Sequence, residues 1–378
     1  MHENGKKDIL YERMKNDIIL GTYAPGYRFP PEIDLARQLG ISRNTLRSAL
    51  KKLEVENLLV RIKSKGTFVA PYHESSFTRH RLLILSQVNS NLYNPCHYIM
   101  PGMIREAIHQ GYELENCDID IFINYTEEQI RNFIRGNGIT GIVVISSGFR
   151  GDENIIKALT AQEIPIILTH GYFRDYQITN WPAVYCDVQA GWETAIRYLV
   201  RLGHRKIITT NFIYPDRMVR LWPRSKYLEL LESLEVDADE SLIIDIEHFD
   251  HEALKTKLTK IFRSCSEMPT AVLCYSDFQA PTVYRVLEDF NLRIPQDVAV
   301  MGFCGAPDGK FMSPPLSTID LNYQNIGRKT IEVMAASGQW FDPRQSNYKA
   351  PPLIKCPFRL EERASTRVKR FEYQLTNS

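Results

Sequence analysis

At 378 residues the chain exceeds what one hydrophobic core usually serves, so two or three folding units are expected. A 44% hydrophobic and 24% charged composition is that of an ordinary globular protein. No apolar run approaches the roughly 20 residues of a bilayer-spanning helix, and the polar first seven residues are not followed by an apolar signal core, so the cytoplasm is the expected compartment and no membrane contact is foreseen. The net charge of +1 hides an asymmetry. Residues 1–70 carry 13 Lys and Arg against 8 Asp and Glu, and the remainder 33 against 37, which makes a basic head on a mildly acidic body. The seven cysteines (96, 117, 186, 265, 274, 304 and 356) are scattered without a Cys-x-x-Cys pair. They are read as reduced thiols with no metal or cofactor role.

Helical spacing begins at about Asp8 and runs to Leu20, with Leu10, Met14 and Ile18 on one face and Gly21 placed to end it. Pro30 and Pro31 then precede Glu32, which suits a helix start, and Leu35, Ala36 and Leu39 give that helix an apolar side before Gly40. Ser42 is a good N-cap for a third helix, in which Leu46, Ala49, Leu50 and Leu53 form a buried stripe and Arg43, Asn44, Arg47 and Lys51 stay outside. Helix, tight turn, polar-faced helix is the helix-turn-helix plan. Leu58–Lys63 and Thr67–Val69 then read as two strands of a small wing, joined by Ser64-Lys65-Gly66 with Gly66 free to take positive φ.

Three motifs, Pro25-Gly26-Tyr27-Arg28-Phe29-Pro30-Pro31-Glu32, Leu39-Gly40-Ile41-Ser42-Arg43-Asn44-Thr45-Leu46-Arg47 and Lys65-Gly66-Thr67-Phe68-Val69, fall in order and spacing so that the head resembles the GntR family. That resemblance implies major-groove contacts for Ser42, Arg43, Asn44, Thr45 and Arg47 and a minor-groove approach for Lys65 and Gly66. Where the family usually has Arg after its glutamate this chain has Ile33, and Arg28 is the candidate to replace it. A winged helix used only for protein contacts is the bland alternative.

Residues 72–80 show little periodicity and are expected to link a head, 1–71, to a body, 81–378. In the body, strand candidates Leu82–Leu85, Gly141–Ile145, Pro165–Leu168, Lys206–Ile208, Thr270–Leu273 and Val298–Met301 alternate with helical stretches Ile104–His109, Trp192–Leu202, Leu254–Phe262 and Val283–Phe290. The alternation predicts parallel α/β layers, which take ligands at the carboxyl ends of their strands.

The body resembles the LacI/GalR regulators through Tyr198–Ile207, Pro269–Val272 running to Ser276-Asp277, Ile294–Phe303, Pro314–Ile319 and Arg363–Thr366. A GntR head on such a body is similar to the arabinose-repressor type of GntR protein. The resemblance implies an α/β fold of two periplasmic-binding-protein-like lobes with parallel sheets, a small sugar-like effector in the cleft, a homodimer and a pseudo-palindromic double-stranded operator. Tyr93, Tyr98, Trp222 and Phe249 are candidates to stack on a ring. Arg224 is a plausible polar anchor, and Asp277 is positioned either to hold hydroxyls or to cap the next helix. Cys304 stands where such regulators carry an Asp that binds sugar hydroxyls, and a thiol is a weak acceptor. His204 belongs to a Leu-Gly-His-Arg turn and is read as structural.

The leading expectation is a transcription regulator whose operator affinity is set by a ligand, with repression relieved by the effector as the implied mode. No nucleophile-elbow, Walker A, dinucleotide or zinc-protease motif is present. An α/β enzyme with a regulatory head, and a DNA-binding dimer that needs no ligand, are the two alternatives.

Overall fold

The computed structural model describes residues 3–19, 22–24, 26–56, 58–62, 65–70, 80–86, 94–145, 149, 151, 153–170, 173–213, 224–236, 239–247, 250–343 and 347–367. The head comprises α1 (Glu3–Ile19), α2 (Glu32–Gln38), α3 (Arg43–Val55), β1 (Leu59–Ile62) and β2 (Gly66–Val69). Leu10, Met14 and Ile18 of α1 meet Leu35 and Ala36 of α2 and Leu46, Ala49, Leu50 and Leu53 of α3 in one core, closed by Phe29, Leu59 and Val69. The helical periodicities thus converge on a common interior. The first helix starts five residues before the expected Asp8, and Leu20 and Gly21 lie outside the described residues. The wing is an antiparallel pair running from Leu59↔Val69 to Ile62↔Gly66, and Gly66 takes φ +125° at its turn. Of the expected linker, only His80 is described, and it opens the first strand of the body.

The body continues in chain order with β3 (His80–Ser86), α4 (Cys96–Gln110), β4 (Tyr112–Asp118), α5 (Ile119–Ile123), α6 (Glu127–Gly136), β5 (Ile139–Ile145), α7 (Asn154–Thr160), β6 (Ile166–Thr169), α8 (Phe173–Thr179), β7 (Ala183–Cys186), α9 (Val188–Arg201), β8 (Ile207–Ile213) and α10 (Arg224–Ser233). Then follow β9 (Ile243–Glu247), α11 (His251–Ser264), β10 (Ala271–Leu273), α12 (Ala280–Asp289), β11 (Ala299–Cys304), β12 (Ser317–Asp320), α13 (Tyr323–Ala335), β13 (Phe341–Asp342), β14 (Asn347–Tyr348), β15 (Leu353–Cys356) and β16 (Arg359–Glu361). Each strand candidate and each helical stretch lies within one of these elements or extends one residue past its end.

The chain divides into two compact units, one of residues 1–90, 104–183 and 330–352, the other of residues 91–103, 184–329 and 353–378. In the first, β6, β5, β3 and β4 lie side by side in parallel. Leu83, Leu85, Ile142, Val144, Ile166 and Leu168 supply its core with Ile130 and Ile134 of α6 and Leu159 of α7. In the second, the order is β16-β12-β11-β10-β8-β9, parallel except for β16. Val272 and Val300 pack there against Leu254, Leu258, Val283 and Leu287. Strands covered on both faces read as continuous apolar runs.

Candidate functional site

Ser42 caps α3. Its Oγ accepts from Thr45 N at 3.1 Å, and the Ser42 and Thr45 hydroxyls lie 2.8 Å apart. Thr45, expected among the DNA contacts, is 6% exposed and belongs to the cap and the core edge. This corrects the expectation. The Leu46 stripe turns its neighbour inward, its N donates the capping bond, and its hydroxyl is engaged with that of Ser42. Arg43 and Asn44 are exposed on the first turn of the same helix.

Arg47, one turn on, is held by Glu32: its Nε and Nη2 donate to Oε2 at 3.2 and 3.0 Å. Arg61 of the wing donates to the other oxygen of Glu32 at 3.1 Å and reaches Glu54 Oε2 at 3.3 Å. One carboxylate therefore joins α2, α3 and β1, and neither Glu32 nor Arg61 was singled out from the sequence. Their signal is the spacing of an acid 15 residues before Arg47 and 29 before Arg61, which means nothing until the turn and wing are folded. Ile33 is half exposed beside them. Arg28 is exposed, lies over the Phe68 ring at 6.0 Å, and bridges to Phe68 in the wing. Lys65 is exposed where its N donates to Ile62 O at 3.0 Å, and Gly66 follows it.

In the second unit the carboxyl ends of β10, β11 and β12 gather polar groups. Asp277 lies just after β10 and is 4% exposed. Thr318 Oγ1 donates to its Oδ1 at 2.6 Å, and Ala306 N donates to its Oδ2. Burial pushes its carboxyl up to about 7, even though these donors favour the charged form. Asp277 was expected to reach ligand or cap a helix. It is enclosed and ties the turn after β11 to β12, with each of its oxygens accepting one bond from within the unit.

Cys304 ends β11 with φ +102°, a region that side chains seldom adopt. Burial pushes its thiol up to about 12. Its register partner on β12 is Asp320, half-buried, whose Oδ1 accepts from Asn322 N at 2.7 Å. The Tyr98 ring lies 5.9 Å from Phe278 and stacks on Tyr323 at 6.2 Å, and Trp192 stacks on Tyr275 and Phe303.

Arg224 sits at the start of α10, where Nη2 reaches Asp245 Oδ2 at 3.0 Å and Nη1 reaches Glu240 Oε2 at 3.3 Å. Its charge is thus balanced within the chain. Tyr93, Trp222 and Phe249 lie outside the described residues. His204 ties its turn down, with Nδ1 3.0 Å from Thr270 Oγ1 and its N donating to Leu199 O.

The pattern of the gntR family of bacterial regulatory proteins matches residues 6–69, which span the helices and wing described above. A periplasmic binding protein-like domain matches residues 196–366, most of the second unit. The chain thus joins a gntR-type helix-turn-helix head to a periplasmic-binding-protein-like body, the make-up of a transcription regulator. It is 25% identical over 296 residues to the arabinose metabolism transcriptional repressor of Geobacillus stearothermophilus, covering 76% of this chain and 78% of that one. It is 22% identical over 310 residues to the HTH-type transcriptional repressor PurR of Vibrio atlanticus, covering 80% and 90%. A LacI-family regulatory protein from Chloroflexus aggregans superposes with a TM-score of 0.59 at 23% identity, over 75% of this chain and 98% of that one, and so shares the fold of the body. DNA binding in the regulator belongs to the head, where Arg43, Asn44 and Arg47 line the outer side of α3.

Proposed function

We propose that the regulator is a cytoplasmic repressor, without catalytic activity, that binds a pseudo-palindromic operator as a homodimer and is released by a small sugar-like effector. Its parts are a head of residues 1–71, a linker of 72–80 and an effector and dimerisation body of 81–378. One recognition helix reads a half-site, and a two-fold partner supplies the other. Arg28, Ser42, Arg43, Asn44, Arg47, Lys65 and Gly66 are its DNA-facing residues, with Tyr98 on the effector side.

The observation that carries this reading is the exposed first turn of α3, Arg43 and Asn44, next to a guanidinium that Glu32 already holds in place. Support for a sugar comes from relatives named for arabinose metabolism and from the ribose operon repressor of Haemophilus influenzae, 27% identical over 198 residues. Cys304 favours a second reading, in which the regulator needs no effector. Fluorescence anisotropy on palindromic duplexes taken from upstream of the regulator's own gene tests both. Two protomers per duplex and release by a pentose or hexose are expected. Binding as a monomer overturns the first reading, and indifference to every sugar favours the second.

A further inference from the structure

We infer that Asp320 is the acceptor that grips the effector, a neutral molecule offering hydroxyl donors; the inference rests on the sugar reading above. Cys304↔Asp320 is the last register pair of the β11–β12 ladder, at the carboxyl edge where sheets of this kind take ligands. Of the two, the thiol is the weak partner and the carboxylate the strong one.

Side chains two apart on a strand share a face, so Thr318 and Asp320 point the same way. The Thr318 hydroxyl is spent on buried Asp277. That closes the floor, and Asp320, half-buried, is the next group above it. Its Oδ1 is fixed by Asn322 N at 2.7 Å, while no donor among the described residues reaches Oδ2. The carboxylate is therefore oriented but only half used.

The adjoining turn is shaped around it. Gly305 has φ +75°, and a Cβ there would lie 2.5 Å from Asp320 Oδ1 and 2.7 Å from its Cα, so only glycine passes this close. Arg359 is the register partner of Asp320 on β16, but no ion pair to Asp320 forms among the described residues. Lys355 is engaged by Asp187 at 2.6 Å, and Arg363 donates to Leu316 O at 2.7 Å. A carboxylate with an open oxygen attracts hydroxyl donors. Tyr323, three residues on, is buried, stacks on Tyr98 and hydrogen-bonds the Cys304 thiol.

The test is calorimetric titration of the full-length protein with L-arabinose, D-ribose, D-galactose and D-glucose, and with D-galacturonate as the anionic probe. Asp320→Asn keeps a carbonyl acceptor for Asn322 N and changes only the open oxygen; Asp320→Ser keeps a short acceptor without charge. Both variants are expected to retain the ligand-free melting temperature and to weaken the neutral sugar at least about tenfold, in line with the strength of hydrogen bonds to charged groups. Asp320→Asn should also narrow the preference for galactose over galacturonate. A sugar that binds Asp320→Asn as tightly as wild type overturns the assignment and leaves the sugar reading standing. Failure of every sugar to bind wild type overturns that reading, and the assignment with it.

Discussion

The carboxylate of Asp277 lies against the backbone of Gly302 so closely that a methyl group there would sit 1.9 Å from Oδ1 and 2.8 Å from Leu316 Cδ2. The glycine of the Gly302-Phe303-Cys304-Gly305 turn is thus required by packing, since its φ is not left-handed. Gly302→Ala must push the buried carboxylate off Thr318 and Ala306. Overpacking together with broken buried hydrogen bonds should destabilise the body by about 2 to 4 kcal/mol. Urea unfolding of the variant checks this, and an unchanged midpoint would refute it.

Asp277 also predicts a pH dependence. Its folded-state pKa is raised to about 7 from an ordinary value near 3.8, so the folded state keeps a proton that the unfolded state loses. The contribution of this group to stability is full below about pH 4. It is lost progressively as pH rises towards 7 and changes little above that. Asp277→Asn cannot titrate, so the stability of wild type relative to the variant should fall between pH 4 and 7. A difference that is flat over that window would show that the carboxyl ionises normally.

The shared carboxylate of Glu32 separates stability from recognition. Its partners are exposed enough that the pairs contribute less than about 1 kcal/mol to folding. Glu32→Gln should therefore leave the melting temperature within a degree or two, yet lower the ratio of operator to random-sequence affinity, because Arg47 loses its fixed pose. Competition binding on the two duplexes measures it. A ratio equal to that of wild type would mean that Arg47 does not depend on this clamp.

Arg43 and Lys65 should fail differently. If Arg43 meets a guanine edge, Arg43→Ala weakens the operator by about 1 to 3 kcal/mol and relaxes specificity at one position. Lys65→Ala, at the wing tip, should weaken all duplexes alike and reduce the salt slope by about one charge. Equal losses on operator and random DNA for Arg43→Ala would place that residue on phosphate only.

Gly66, at φ +125°, predicts a strain effect confined to the wing. Gly66→Ala puts a methyl group 3.3 Å from Arg28 Nε in a conformation unfavourable for alanine by roughly 1 to 2 kcal/mol. The variant should bind DNA more weakly while the sugar response of the body stays intact. A matching loss in ligand affinity would contradict a local effect.

Local pattern alone carried the head and the alternation of the body. Apolar positions three and four apart, Ser42 before α3, and Gly66 between two short strands each have one stable solution, and the structure adopts it. Six strands of the two parallel sheets, β3, β5, β6, β8, β10 and β11, were legible for the same reason, since a strand buried on both faces must be apolar throughout. β4, Tyr-Glu-Leu-Glu-Asn-Cys-Asp, was not legible because it lies at the edge of its sheet and is only half-buried, so nothing forces an apolar run. The site was the harder part. Asp277 and Asp320 are the same residue type, each close to the carboxyl end of a strand, and the sequence offered no way to tell the enclosed one from the one with an open oxygen. Tertiary structure decided it. Gly302 lets Asp277 sink beneath the sheet edge, where Thr318 and Ala306 each bond one of its oxygens, and Gly305 leaves Asp320 room at the rim. Likewise Thr45 looked like any exposed polar residue of a recognition helix until the cap drew its hydroxyl to Ser42, and Glu32 gained its partners only when α2, α3 and β1 met. Hydrogen-bond saturation depends on neighbours far away in the chain, and residue type and spacing do not encode which neighbours those will be.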